Sequence, residues 1–139
     1  MKIQKIILDT NVLFAGLYSS SGASFKVLRL IQNKTIKPVI STTLLFEYED
    51  VLKRKQKLLE LTDPEIEVVL DNLCYYSELQ KIYFLWRPYL KDPKGDHVLE
   101  LAVASASDII VTHNIKDFKG LDRFSIQAIT PKLLLEKLK

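Results

Sequence analysis

Lys5-Ile6-Ile7-Leu8-Asp9-Thr10-Asn11 is a short apolar run that stops abruptly on a carboxylate. Such a run, with no polar alternation, reads as a strand buried on both faces, and the Asp-Thr-Asn after it reads as a turn. Ile109-Ile110-Val111-Thr112 repeats the pattern with β-branched residues, the mark of a central parallel strand. Lys37-Pro38-Val39-Ile40 and Gln127-Ala128-Ile129 supply two further short strands.

Helical patterns lie between these runs. Phe25, Val27, Leu28 and Ile31 give residues 23–31 a helical stripe after the Ser19-Ser20-Ser21-Gly22 loop. Ser41-Thr42-Thr43 offers caps for a helix over residues 44–54. Thr62-Asp63-Pro64-Glu65 is a helix start, with a capping side chain, an early proline and early acids, and Ile66, Val69, Leu70 and Leu73 form the stripe behind it. Asp96 opens a helix that is apolar almost all round, so it is expected to be buried on several sides. Thr130-Pro131 caps a closing helix to Leu138. Residues 75–89 are aromatic and irregular and assign no element. Strand and helix alternate, which predicts an α/β fold: three layers, α/β/α, around a central parallel sheet. Residues 1–139 read as one domain.

Composition narrows the function classes. With 47% hydrophobic and 27% charged residues the chain is neither disordered nor fibrous. Cys74 is the sole cysteine, so no internal disulfide points to an oxidising compartment. Asp9 ends the opening apolar run too early for a signal peptide, and no stretch approaches the roughly 18 apolar residues of a membrane span. A cytoplasmic protein without membrane contact is the expectation. The net charge of +3 permits a polyanionic partner without demanding one. Lys53, Arg54, Lys55 and Lys57 form a basic knot, and Lys91, Lys94, Lys116, Lys119 and Arg123 flank acidic positions.

In open α/β sheets the site lies at the carboxyl ends of the strands. Asp9 follows the first strand, and Asn114 and Asp117 lie just beyond Thr112. Glu47 lies further along the helix that Ser41 caps, and Asp96 stands at a helix start. Each has an ordinary reading. Asp9, Asp92 and Asp117 suit turns, and Asp96 suits a helix cap. A helical wheel puts Glu47 on one border of the Leu44, Leu45, Tyr48, Val51, Leu52 stripe and Glu49 on the other, and does not choose between them. Gathered at one edge, however, two carboxylates about 5 Å apart repel by roughly 3 kcal/mol at an effective dielectric near 20. Such a cluster raises the pKa of at least one member or binds cations. All-oxygen donors suit Mg²⁺ or Mn²⁺, which activate water and stabilise the charge of phosphodiester hydrolysis. The neighbouring lysines and Arg123 would meet substrate phosphates. His97 and His113 read as surface or turn residues, and Trp86 and the Tyr75-Tyr76 pair as core or interface.

Four segments resemble the PIN-domain nucleases in order. They are Ile7-Leu8-Asp9-Thr10-Asn11-Val12-Leu13, Ser41-Thr42-Thr43-Leu44-Leu45-Phe46-Glu47-Tyr48, Lys91-Asp92-Pro93-Lys94-Gly95-Asp96-His97-Val98-Leu99 and Val111-Thr112-His113-Asn114-Ile115-Lys116-Asp117-Phe118. The resemblance runs over essentially the whole chain. It implies a metal-dependent endoribonuclease in which Asp9, Glu47, Asp96 and Asp117 form the catalytic, metal-binding cluster, and it favours Glu47 over Glu49. It implies that Asn11, Thr112, Asn114 and Asp92 support the site, with Lys94, Lys116, Lys119 and Arg123 at the RNA phosphates. One branch of the family has Asp where this chain has Asn114. Here the nearest carboxylate is Asp117, as in the toxin-like branch related to VapC. That branch implies a small antitoxin partner and a homodimer. A receiver domain would need another Asp ending a middle strand and a Lys after the last, which Val39-Ile40-Ser41 and Ile129-Thr130-Pro131 lack. A haloacid-dehalogenase-type phosphatase would need Asp where Asn11 stands. The remaining rival is a PIN fold that binds RNA or protein without cutting.

Overall fold

The computed structural model describes residues 3–82 and 95–138, apart from the side chains of Asp122 and Arg123. Five parallel strands form its sheet: β1 (Gln4–Leu8), β2 (Ile36–Ile40), β3 (Glu78–Leu79), β4 (Ile109–Val111) and β5 (Gln127–Ile129), in the order β3-β2-β1-β4-β5. Among the described residues seven helices flank it in the expected three-layer α/β/α arrangement. They are α1 (Thr10–Tyr18), α2 (Ala23–Gln32), α3 (Thr42–Arg54), α4 (Gln56–Leu59), α5 (Asp63–Tyr76), α6 (Asp96–Ala104) and α7 (Pro131–Lys137).

The order has a physical cause. Ile6, Ile7 and Leu8 are fully buried, as are Ile110 and Val111, so β1 and β4 take the middle of the sheet, where both faces are covered. β1 pairs with β2 through Gln4↔Ile36 and Ile6↔Pro38, and with β4 through Ile6↔Ile109 and Leu8↔Val111. The chain winds outward from β1 to β2 and β3, then returns to the other side for β4 and β5. The reversal falls between β1 and β4, and at such a switch point the strand ends splay apart into a crevice.

Local signals set most helix starts. Ser41 Oγ accepts from Leu44 N at 3.0 Å, and Thr130 Oγ1 accepts from Leu133 N at 3.2 Å. At α5 the capping box is complete: Thr62 N donates to Glu65 Oε1 at 2.8 Å, and Glu65 N donates to Thr62 Oγ1 at 3.3 Å. Every residue of α6 from Asp96 to Ala102 is buried, as its all-round apolar pattern predicts.

Two expectations change. The turn read at Asp9-Thr10-Asn11 is the start of α1, because Asp9 caps that helix and Val12, Leu13 and Gly16 bury its inner face. Gly95 rather than Asp96 is the N-cap of α6, with no side-chain cap bond, so Asp96 sits inside the first turn. The unassigned residues 75–89 hold the end of α5 and the two-residue strand β3, which is defined by pairing with Val39 and Ile40. Tyr76 packs against the core, but Tyr75 stands 72% exposed, its ring edge-on to Tyr76. Trp86 lies outside the described residues.

Tyr48 ties the helical layer to the sheet. It is 1% exposed on α3, and its hydroxyl donates to the Leu8 carbonyl, one residue before Asp9. Tyr48→Phe leaves the ring and removes the donor. It is expected to lower the unfolding free energy by about 1–2 kcal/mol, read as a lower urea midpoint at unchanged m-value.

Candidate functional site

Asp9 stands where β1 ends. Its backbone N–H continues the ladder to the Val111 carbonyl at 2.9 Å, and its extended φ/ψ makes it the N-cap of α1. One carboxylate oxygen accepts from Thr10 N at 2.9 Å. The other accepts from Thr112 Oγ1 at 2.7 Å and from Asn11 Nδ2 at 3.4 Å. Thr112 is fully buried just past β4, and its hydroxyl oxygen accepts in turn from Asn114 N at 3.0 Å. Asn11 Oδ1 accepts from His113 N at 3.2 Å. Asn114 therefore contributes through its backbone, and its side chain faces outward.

Glu47 faces this corner from α3. Thr10 Oγ1 donates to its Oε2, and His97 Nε2 lies 3.2 Å from its Oε1. Glu49 turns the other way and pairs with exposed Lys53 at 3.6 Å, one helical turn on. The wheel's ambiguity is thus resolved by contacts made outside the helix.

Burial pushes the Asp9 carboxyl above its ordinary value, and the neighbouring Glu47 charge adds to that. The bonds from Thr112 and Thr10 and the nearby His97 pull it back part of the way. Mutual repulsion was the expected cause of a raised pKa, but here desolvation outweighs it.

Asp96 is 1% exposed in the first turn of α6, where the helix dipole favours an anion, and α6 packs on β1, β4 and α3. His97, the next residue, belongs to the network through its contact with Glu47. Asp117 is half-buried in a 3₁₀ turn, Ile115–Phe118, and donates its N–H to the Asn114 carbonyl at 3.0 Å. Its carboxylate stands outside the network. Among the described residues no three His, Cys, Asp or Glu side chains are grouped as ligands of a single metal ion. Lys116 and Lys119 are exposed on the same loop. Asp92, Lys94 and the Arg123 side chain lie outside the described residues.

Two residues were misread in the sequence. His97 is 8% exposed rather than on the surface, and it holds Glu47. The signal was its position on a helix apolar all round, where a polar ring must be buried with a partner. Thr10, read as part of a turn, is Glu47's other donor. His113 is exposed as expected, with Nε2 2.9 Å from Ser24 Oγ on α2.

The donor chemistry of the Asp9–Glu47 pair fits a divalent cation: both offer carboxylate oxygens at one sheet edge, and a cation there would offset both the burial of Asp9 and the charge of Glu47. A family model described as PIN domain matches residues 5–116. The chain belongs to the PIN-domain family. No curated protein matches it. PIN domains are generally nucleases and typically use divalent metals, so this chain carries a nuclease-type fold with its carboxylates where the strands end.

A raised carboxylate pKa means that the folded PIN domain holds the Asp9 proton more tightly than the unfolded chain does. In chelator, stability should therefore be lost as pH climbs from about 4, the unfolded value, through the folded one. Asp9→Asn keeps a capping side chain and has no such proton. Urea midpoints across this range should move in favour of the variant as pH rises; a constant difference would mean that Asp9 titrates alike in both states.

Proposed function

We propose that residues 1–139 form one PIN-like endoribonuclease domain of the toxin-like, VapC-related branch, dependent on Mg²⁺ or Mn²⁺. The observation that carries this reading is the paired environment of Asp9 and Glu47. Each carboxylate is fixed by hydroxyl donors at the β1–β4 switch point, and Glu47 helps to keep the Asp9 carboxyl above its ordinary value.

In this reading Asp9, Glu47, Asp96 and Asp117 hold the metal and act in catalysis, supported by Asn11, Thr112, Asn114 and Asp92. Bound there, Mg²⁺ or Mn²⁺ supplies Lewis-acid chemistry, activating water and offsetting the charge that builds on a phosphodiester. The chain's own residues fix geometry. Thr112 and the Thr10 N–H orient Asp9, while Thr10 Oγ1 and His97 orient Glu47. Lys116 and Lys119, with Lys94 and Arg123, would hold RNA phosphates beside the acids. The family resemblance adds a small antitoxin protein and a homodimer as partners, and a cytoplasmic location. No helix among the described residues is long and apolar enough to cross a membrane.

One observation favours a second reading, a PIN fold that binds RNA or protein without cutting. Both Glu47 oxygens already have protein partners, so this part of the cluster is satisfied without a cation. Cleavage decides between them. Purified protein is expected to cut single-stranded RNA only with Mg²⁺ or Mn²⁺, and Asp9→Asn or Asp96→Asn should each remove about a hundredfold or more of the rate. Glu47→Gln should abolish activity, whereas Glu49→Gln, which only loosens an exposed ion pair, should leave it near wild type. Mn²⁺ binding without cleavage would favour the silent module, and undiminished cleavage in excess chelator would sink the metal mechanism.

A further inference from the structure

The basic knot at the end of α3 meets one face of α1, beyond the residues that the acidic cluster uses. Thr10, Phe14 and Tyr18 are spaced by four and share one face of α1. The face starts at the cluster, where Thr10 donates to Glu47, and runs roughly 12 Å away along the helix. The rings of Phe14 and Tyr18 stack with centroids 5.7 Å apart and planes 11° from parallel. Lys55 Nζ lies 5.9 Å from the centre of the Phe14 ring. Phe14 alone would be core packing, since it is partly buried against the core. Tyr18 is 57% exposed at the helix end, with its ring parallel to the one behind it.

Charge completes the picture. Lys53 and Arg54 are matched one turn back by Glu49 and Asp50, at 3.6 and 3.0 Å. Lys55 and Lys57 have no acidic partner among the described residues, and both stand exposed where α3 gives way to α4. An aromatic stack with an exposed outer ring, an unmatched lysine over the inner ring and a second lysine two positions on suits a ligand with flat rings on an anionic backbone.

We propose that Phe14, Tyr18, Lys55 and Lys57 form a track for single-stranded nucleic acid that leads to the acidic edge, with a base stacked on Tyr18 and phosphates at the two lysines. The track extends the nuclease reading, which assigns the cutting to that edge, but its binding needs neither metal nor cleavage. Every base has a π-face, so the track is tolerant of sequence, and it excludes duplexes, whose bases are already stacked.

The test is fluorescence anisotropy of labelled oligouridine with the intact chain in excess chelator, over a series of salt concentrations. Tyr18→Ala should weaken binding about five- to a hundredfold, and Tyr18→Phe, which keeps the ring, should restore it. Lys55→Gln and Lys57→Gln should each reduce the slope of log affinity against log salt by about 0.7. Wild-type protein that fails to bind, Tyr18→Ala that binds as wild type does, or Tyr18→Phe as weak as Tyr18→Ala would each overturn the track. Unchanged RNA affinity in Tyr18→Ala with loss of self-association in sedimentation would assign the face to a second copy of the chain instead. Binding without metal-dependent cleavage would sink the endoribonuclease reading and leave the track standing. Cleavage with a Tyr18→Ala KM equal to wild type would do the reverse.

Discussion

Thr112 Oγ1 donating to Asp9 Oδ2 at 2.7 Å joins the ends of the two most deeply buried strands, and the rest of the edge is arranged around that contact. A carboxylate half withdrawn from water needs donors, and Thr112, just past the neighbouring strand, supplies the shortest bond among those that Asp9 accepts. The parallel register, with Leu8 opposite Val111, puts Thr112 beside Asp9. The register rests in turn on the unbroken apolar runs of β1 and β4, because the strand ends are fixed by where those runs stop. α1, capped by Asp9 itself, then brings Thr10 round to Glu47.

Each polar group at this edge therefore serves two ends. Asp9 starts a helix and stands at the switch point between β1 and β4. Thr112 closes the β4 edge through its N–H to the Ile129 carbonyl while its hydroxyl steers a carboxylate. Tyr48 anchors α3 to Leu8 and so fixes the helix that carries Glu47 one position earlier. Such coupling makes the carboxylates rigid, and rigidity is what a cation site needs, since oxygen donors that must be gathered from several conformers bind metal weakly.

Much of this was legible because it is local. The continuous apolar runs marked β1, β2, β4 and β5, and the Thr62–Glu65 capping box marked α5, since each is decided by neighbours in sequence. α1 was not legible. Asp9-Thr10-Asn11 has the composition of a turn, and only burial of Val12, Leu13 and Gly16 against other elements carries the chain on as a helix. β3 had no local signal, because two residues become a strand only through Val39 and Ile40. At the site, Asp9 and Thr112 could be placed at strand ends, but Glu47 and Glu49 lay symmetrically about their stripe. Thr10 and His97, from two other helices, break that symmetry, and no periodicity within α3 contains them.

The strand order also bears on when the molecule becomes complete. β1 is made first but finds its second neighbour only in β4, and Asp9 and Thr112 are 103 positions apart. Contacts of such separation form late, since a long loop must close before they return any stability. A chain growing from its N-terminus can pair β1 with β2 and add β3, yet the far edge of β1 stays open and Asp9 lacks its donor. The acidic edge is thus assembled only once β4 has been made and has docked on β1, and the enzyme proposed here is inert until then.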